Sequence, residues 1–537
     1  MISCAISFLV GLIFSKWTLL VTILGYFAYK WGTSTYDLFE KRGLKFIPPV
    51  PFFGNFKHMA LQTKTFYDLM HELYNHFPNE KIYGIFEFRR PLFLVRDPEL
   101  IKQMAVKDFD HFLDHRFNVD NEPLFGRNLF AMKGQRWRDM RSTLSPAFTG
   151  SKMRTMFHLV SECCSETVNY LEKESKGGKP ILTDLKDFFT RFTNDVIATC
   201  AFGIKVDSLN DRDNEFYQYG KKATDFSGLR SLIFLLVLQL PTFSKIFGIR
   251  IFSEKFSNFF RNLVWDTIRH RERENIIRPD MINLLIQARK GKLKYEEEDI
   301  QKDGYATVQE TTVGEAIHQS QLEEDDLTAQ CLIFFIAGFD TSSTCMCFTA
   351  HELAANPDVQ KKLIEEVDAT KEMLGGKPIT YDALQNMKYL DMVISESLRM
   401  WPPAAGTDRT CVKPYTIKSD KINCEVKVNE AFLIPIVSLH HDPKYFPNPS
   451  RFDPERFSDE NKDKITPFTY LPFGVGPRNC IGSRFALMET KAVIYYILTK
   501  FTFEVSRKTQ IPLKLGKTGF ALKPENGFWV DLKPRNN

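Results

Sequence analysis

The sequence predicts a mainly α-helical protein with a smaller β-rich region, preceded by an N-terminal membrane anchor. Three observations carry that expectation. Residues Ile2 to Tyr29 are almost wholly apolar and long enough for a spanning helix of about 20 residues. The stretches from Ile101 to about Ile286 and from Leu327 to Ala355 read as helices, the first set joined by loops. Strand-like material is short: Lys81 to Phe86 and Pro91 to Val95 alternate or run apolar, bounded by Pro and Gly.

With 537 residues, 43% hydrophobic and 26% charged, the chain can bury a large core or divide into two or three domains. A net charge of +5 makes no global case for nucleic-acid binding and leaves room only for a local basic face. Ten cysteines are scattered with no C-x-x-C pair and no zinc spacing, which suits reduced thiols facing the cytosol. The 48 Phe residues suit either an apolar cavity or a Phe-rich core.

Taken in order, residues 1–30 are the expected anchor, 31–55 a basic, proline-rich hinge and 56–537 the catalytic domain. Lys16 interrupts the anchor at a cost of about 2.5–3.5 kcal/mol, so it snorkels or the anchor is two shorter pieces. No charge precedes it, whereas Lys30, Lys41, Arg42 and Lys45 follow, which puts the body on the cytosolic side. Pro48, Pro49 and Pro51 stiffen the hinge.

Farther on, Trp137 and Arg141 are four apart and share a helical face, so an indole N–H and a guanidinium can address one carboxylate. Lys133, Arg136, Arg138, Lys152 and Arg154 make that neighbourhood basic, as a solvated face or as a dock for an acidic electron donor. Leu229 to Pro241 is too short to span and is a buried helix, a lid or a second membrane contact. The acidic insertion from Lys294 to Asp326 reads as a solvated loop.

Leu327 to Ala355 should form a helix of roughly 30 residues, started by Asp325 or Asp326 and stopped at Asn356-Pro357. Its first half is apolar nearly all round, which predicts burial, and the polar run Asp340 to Thr344 argues against a membrane span. Gly338 costs about 1 kcal/mol in a helix interior, so something there gains from a missing side chain. Thr341 can bond back to the carbonyl four residues earlier and loosen the helix. With Asp340 beside it, an acid and an alcohol can order water and relay protons.

Glu396 and Arg399 are three apart on an apolar helical face, where an unpaired charge would be costly, and Arg456 offers a third partner. Close to the C-terminus, Phe473 to Gly482 places Cys480 after a Gly-rich turn and before an apolar helix. Backbone amides and the helix N-terminus there favour a thiolate, a good axial ligand for haem iron.

That decapeptide resembles the haem-binding loop of the cytochrome P-450 family, F-x-x-G-x-R-x-C-x-G, matching at Phe473, Gly476, Arg478, Cys480 and Gly482. The family's other motifs follow in order: W-x-x-x-R at Trp137 and Arg141, A-G-x-[DE]-T at Ala337 to Thr341, E-x-x-R at Glu396 and Arg399, and P-E-R-F at Pro454 to Phe457. The likeness covers essentially the whole chain. It is nearest to insect microsomal xenobiotic-metabolising members related to the vertebrate drug-metabolising group, on Trp137 to Phe148, the insertion and the Phe-rich helix.

The resemblance implies the cytochrome P-450 fold, with heme b (iron protoporphyrin IX) held between Cys480 and the central helix. It implies propionate contacts from Trp137, Arg141, Arg409 and Arg478, and Phe473 beneath the ring. Asp340, Thr341 and Gly338 take the oxygen-activation role, and Glu396, Arg399 and Arg456 form a triad that steadies the cysteine loop. Leu229 to Pro241 becomes a substrate-access lid, and Thr518 to Leu522 the last substrate-contacting loop. The implied activity is monooxygenation of a lipophilic substrate at the endoplasmic reticulum membrane. NADPH serves indirectly, through NADPH-cytochrome P-450 reductase, with cytochrome b5 a possible second donor. A haem-thiolate isomerase or dehydratase, or a non-catalytic carrier of haem or lipophiles, are the rival readings.

Overall fold

A computed structural model describes residues 16–117, 119, 122–225, 228–292, 304–308, 322–419, 422–517 and 522–535. Residues 1–15 of the expected anchor lie outside the described residues; from Lys16 the chain is a helix, Lys16–Thr33, whose apolar side chains stand exposed, Trp17 at 76% and Val21 at 66%. Its C-terminal end is clamped to the body. The Arg89 guanidinium lies 3.8 Å from the Trp31 ring and donates to Ser34 Oγ, Thr35 Oγ1 donates to the Arg89 carbonyl, and Tyr36 donates to Phe88 O.

The proline-rich stretch that follows is pinned. Asn55 exchanges hydrogen bonds with the Phe86 backbone through its amide N and Oδ1. Gly54 holds φ +59°, and a Cβ there would meet Phe86 O at 2.2 Å, so only glycine fits this approach.

Among the described residues nine short strands make three sheets. They are β1 (Ile82–Glu87), β2 (Arg90–Val95), β3 (Ile181–Asp184), β4 (Thr407–Thr410), β5 (Tyr415–Ser419), β6 (Ile422–Val426), β7 (Ala431–Ile434), β8 (Phe501–Glu504) and β9 (Trp529–Pro534). The main sheet runs β1-β2-β7-β4, antiparallel except where β2 lies parallel to β7. β4 pairs Arg409 with Phe432, which sets Arg409 at the sheet edge nearest the cysteine loop.

Helices supply the rest, packed around Glu324–Ala355. This central helix starts a few residues earlier than the sequence suggested. Glu323 is the N-cap and Asp326 closes a capping box with it, so the acid predicted to start the helix is its third residue. Asn356 caps the far end, before Pro357. Phe335 and Phe339 pack with Phe202, Phe216 and Phe260 in a core of tilted and edge-on rings, so this part of the phenylalanine excess is core.

One surface expectation changes. Residues 304–308 of the acidic insertion are docked, not solvated: Tyr305 N donates to Asp391 and its ring packs on Phe457 and Tyr470. The insertion's acidic end is engaged too, with Asp325 on Arg261 and Asp326 on Arg136. Its first cluster, Glu296 to Asp299, and the loop from Thr518 to Ala521 lie outside the described residues.

The Leu229 to Pro241 stretch forms the helices Gly228–Gln239 and Pro241–Ile246. Val237 faces inward while Leu232, Phe243, Ile246 and Phe247 are exposed, the last two at 74% and 65%.

Candidate active site

The loop carrying Cys480 is shaped by close backbone contact. Gly474 and Gly476 hold φ +78° and +70°, and a Cβ on Gly476 would lie 2.0 Å from the Ala105 carbonyl oxygen. A 3-10 turn, Gly476–Arg478, leads to Cys480, whose N–H donates to Phe473 O at 2.9 Å, and helix Ser483–Leu498 follows. Phe473 is half-buried against the core. Among the described cysteines Cys480 is exposed, Cys163 is half-buried and the rest are buried. Burial pushes the other thiols up, Cys345 to about 12, and keeps them protonated.

Three guanidiniums gather around this loop. Arg141 Nη1 and Nη2 donate to Asn479 O and Oδ1, at 2.9 and 2.7 Å, directly before Cys480. Arg478 lies 4.2 Å over the Trp137 ring and donates to the carbonyls of Leu113, Leu129, Phe130 and Met132. Arg409 donates to Val475 O at 2.9 Å, and its buried Nε has no hydrogen-bond partner among the described residues. Burial lowers Arg409 to about 10. Burial, then repulsion from Arg409, lowers Arg478 to about 9. Asp114, 3.6 Å from Arg478, and Asp408, next to Arg409, offset part of this positive charge.

Opposite in character is the face of the central helix around Ala337 and Thr341. Both residues are exposed in a helix otherwise buried along its second half, and they lie four apart, on one face. Thr341 Oγ1 donates to Ala337 O at 2.5 Å, as back-bonding requires, while the helix stays α throughout.

Asp340 does not join Thr341. Its carboxylate pairs with Lys186 Nζ at 2.8 Å, on helix Leu185–Ile197, and the same ammonium donates to Ser343 Oγ and Thr344 Oγ1. Burial pushes the Asp340 pKa up, but Lys186 outweighs it and holds the carboxyl below its ordinary value.

Gly338 lies against the helix Leu185–Ile197. A Cβ there would stand 3.0 Å from Ile197 Cδ1, so the missing side chain serves the packing of the two helices.

Behind the cysteine loop, Glu396 and Arg399 are both fully buried in helix Lys388–Met400, paired at 2.7 and 2.9 Å. Arg456 Nε reaches Glu396 Oε1 at 3.3 Å, and Asp453 N donates to the same oxygen. His440, which the sequence did not single out, links this cluster to the loop. Its Nδ1 lies 3.1 Å from Arg399 O, and its Nε2 accepts from Leu471 N at 2.8 Å. Burial, then its charged neighbours, lower its pKa to about 3, so the ring is neutral and donates through Nδ1.

Sequence reasoning also missed Lys186, His115, Asp408 and Asn479. Lys186 had one local signal: a cation in the first turn of a helix, where the dipole disfavours it.

These residues fit a haem. An exposed thiol, a strip of small and hydroxyl side chains, and a rim of guanidiniums with a partnerless donor match its iron, its open face and its two carboxylates.

The described family model Cytochrome P450 matches residues 45–530. Cytochrome P450 9e2 of Blattella germanica is 48% identical over 97% of this chain and 98% of its own. Probable cytochrome P450 9f2 of Drosophila melanogaster is 48% identical over 95% of this chain and 97% of its own. Cytochrome P450 9b2 of the same species is 43% identical over 96% and 98% respectively.

Proposed function

From the premise that the chain belongs to the cytochrome P450 family of haem-thiolate monooxygenases, we propose that it oxidises lipophilic substrates, xenobiotic or endogenous, at the endoplasmic reticulum membrane. Electrons come from NADPH through a separate flavoprotein reductase, with cytochrome b5 as a second donor. When bound, the haem supplies the iron at which dioxygen is reduced, one atom entering the substrate and the other leaving as water with two protons and two electrons.

Cys480 would hold the haem iron through its thiolate. Its exposure, where the other described cysteines are wholly or partly buried, is the observation that carries the reading. Arg409 and Arg478 would hold the propionates, Trp137 lies under Arg478, and Arg141 fixes the loop through Asn479. Phe473, half-buried against the core, would pack on the haem. Glu396, Arg399 and Arg456 keep the loop in register, and His440 transmits that order to Leu471.

Thr341, exposed on the face it shares with Ala337, would relay protons toward bound dioxygen through its hydroxyl. Asp340, held ionised by Lys186, takes up a proton from solvent when that ion pair opens and passes it on toward Thr341. Gly338 lets the two helices that carry this pair approach.

Membrane attachment is supported by the exposed apolar helix Lys16–Thr33 and by the exposed side chains of Phe243, Ile246 and Phe247. The body then faces the cytosol. Arg136, Arg138 and Arg154 each already hold a carboxylate, so a reductase dock on that face competes with Asp326, Asp110 and Asp382.

The test is the absorption spectrum of the reduced protein under carbon monoxide, beside Cys480→His. A strongly red-shifted Soret band in wild type, absent from the variant, is expected. The same imidazole-like band in both would remove Cys480 as ligand. NADPH consumption with product formation in the presence of reductase then separates a monooxygenase of this kind from an isomerase or a carrier.

A further inference from the structure

Next to the guanidinium rim lies an imidazole with no assigned task. His115 stacks on Phe130 at 4.7 Å with 27° between the rings, and 11% of its side chain is exposed. Its Nδ1 is buried, 3.6 Å from Asp408 Oδ1, without a hydrogen-bond partner among the described residues.

The charged groups around it come from several elements. Asp408 and Arg409 belong to β4, Arg478 to the cysteine loop, and Asp114 and Arg116 flank His115 in sequence. Arg116 pairs with Glu87 of β1 at 2.5 Å and its backbone N–H donates to Asp408. Asp114 accepts from Gly134 N and stands 3.6 Å from Arg478. Burial lowers the His115 pKa first; Asp408 pulls it up, and Arg409 and Arg478 push it down. Asp408 itself is held far below the carboxylate range: burial opposes this, but His115 and Arg116 prevail.

Charge balance gives the ring a purpose. Among the described residues the guanidiniums of Arg116, Arg409 and Arg478 stand with the carboxylates of Glu87, Asp114 and Asp408. The two propionates of a haem would add two negative charges in this place shielded from water. A proton on one more nitrogen offsets one of them.

We propose that His115 is the titrating member of the propionate cradle, taking up a proton when haem binds and giving it up when haem leaves. The inference rests on the placement of the haem carboxylates at Arg409 and Arg478 proposed above. The sign follows from linkage: the holoprotein binds one more proton than the apoprotein, so haem is held most tightly at low pH and less tightly as pH rises.

The measurement is the rate of haem transfer from the holoenzyme to excess apomyoglobin between pH 6 and 8.5. Wild type, His115→Arg, His115→Gln and Arg409→Gln are compared. One linked proton allows up to about tenfold per pH unit. Wild type is expected to lose haem at least about tenfold faster at pH 8.5 than at pH 6. His115→Arg, with a fixed charge, stays slow and flat, and His115→Gln is fast and flat. Loss through protonation of the thiolate has the opposite pH sign and is common to all four.

Equal slopes in wild type and His115→Gln overturn the inference. If His115→Gln retains no haem, the slope of wild type against His115→Arg decides alone. Arg409→Gln reports on the cradle itself. Faster loss at every pH supports it, and an unchanged rate sinks the cradle whatever the His115 variants do.

Discussion

Behind Cys480, the buried acid is held by several donors: Glu396 by Arg399, Arg456 and the Asp453 amide, and Arg399 in turn donates to the carbonyls of His440 and Pro449. On the central helix the polar groups are more loosely held. Among the described residues Thr341 bonds only to its own helix, and Asp340 leans mainly on the Lys186 ammonium at the edge of the buried region. The ligand side is fixed by redundant bonds, so losing any single partner leaves a buried charge. The opposite side is held by groups that can exchange partners without collapse. A site that must keep a metal ligand still while moving protons needs this asymmetry.

Glu396→Ala attacks the fixed side and should have the largest effect. It strands Arg399 and Arg456, at about 3–5 kcal/mol, and little haem-loaded protein should fold. Thermal unfolding and the carbon monoxide spectrum check this; a near-native midpoint would mean that the cluster is not a brace.

Glu489 tests the seam between the two sides. It is fully buried on the helix after the cysteine loop, and neither oxygen has a hydrogen-bond partner among the described residues. Burial raises its pKa from 4.5 to about 8, against a smaller pull from Ser342 on the central helix. A raised carboxyl contributes stability that is full below pH 4.5 and is lost as pH rises toward 8, about 3 kcal/mol of it by pH 7. Glu489→Gln should flatten that part of the stability profile in denaturant titrations at pH 5 and pH 8. Parallel profiles would show that the acid is not neutral.

The loose side should respond in coupling rather than stability. Thr341→Ala is expected to raise peroxide release several-fold at the expense of product, with unfolding shifted by less than about 1 kcal/mol. Lys186→Met removes the lowering influence on Asp340 and should move the pH profile of coupling upward. Peroxide yields at matched NADPH consumption decide both, and unchanged coupling in Thr341→Ala removes it from proton delivery.

Smallest of all is Gly338→Ala. Its Cβ meets the end of a movable side chain, so a cost of about 1 kcal/mol is expected, recovered by adding Ile197→Val. Failure of that rescue, with dioxygen binding weakened, would return Gly338 to the ligand side.

The loosely and tightly held regions were unequally legible. The cysteine loop, Glu396, Arg399 and the central helix declare themselves locally, through glycines at fixed offsets, an i, i+3 pair and a long apolar run. Arg456 could be named because a buried pair demands a third charge. His440, Lys186 and His115 meet their partners across tens to hundreds of residues, for example Lys186 to Asp340 across 154 positions, and nothing in local spacing foretells such contacts. For the same reason Asp340 and Thr341, neighbours in sequence, were expected to act side by side. Adjacent residues on a helix point about 100° apart, and the structure gives each a different companion.

The clamp of Arg89 on Trp31 and Ser34, with Thr35 bonded to the Arg89 carbonyl, makes the exposed N-terminal helix a mast stepped into the hull rather than a mooring rope. A tilt imposed on that helix by the thickness of a lipid layer is passed to the whole body. On the proposed membrane attachment, the exposed apolar helix carrying Phe243 and Ile246 would meet lipid at a depth set by the layer, and the membrane's composition would become a control on which lipophiles reach Cys480.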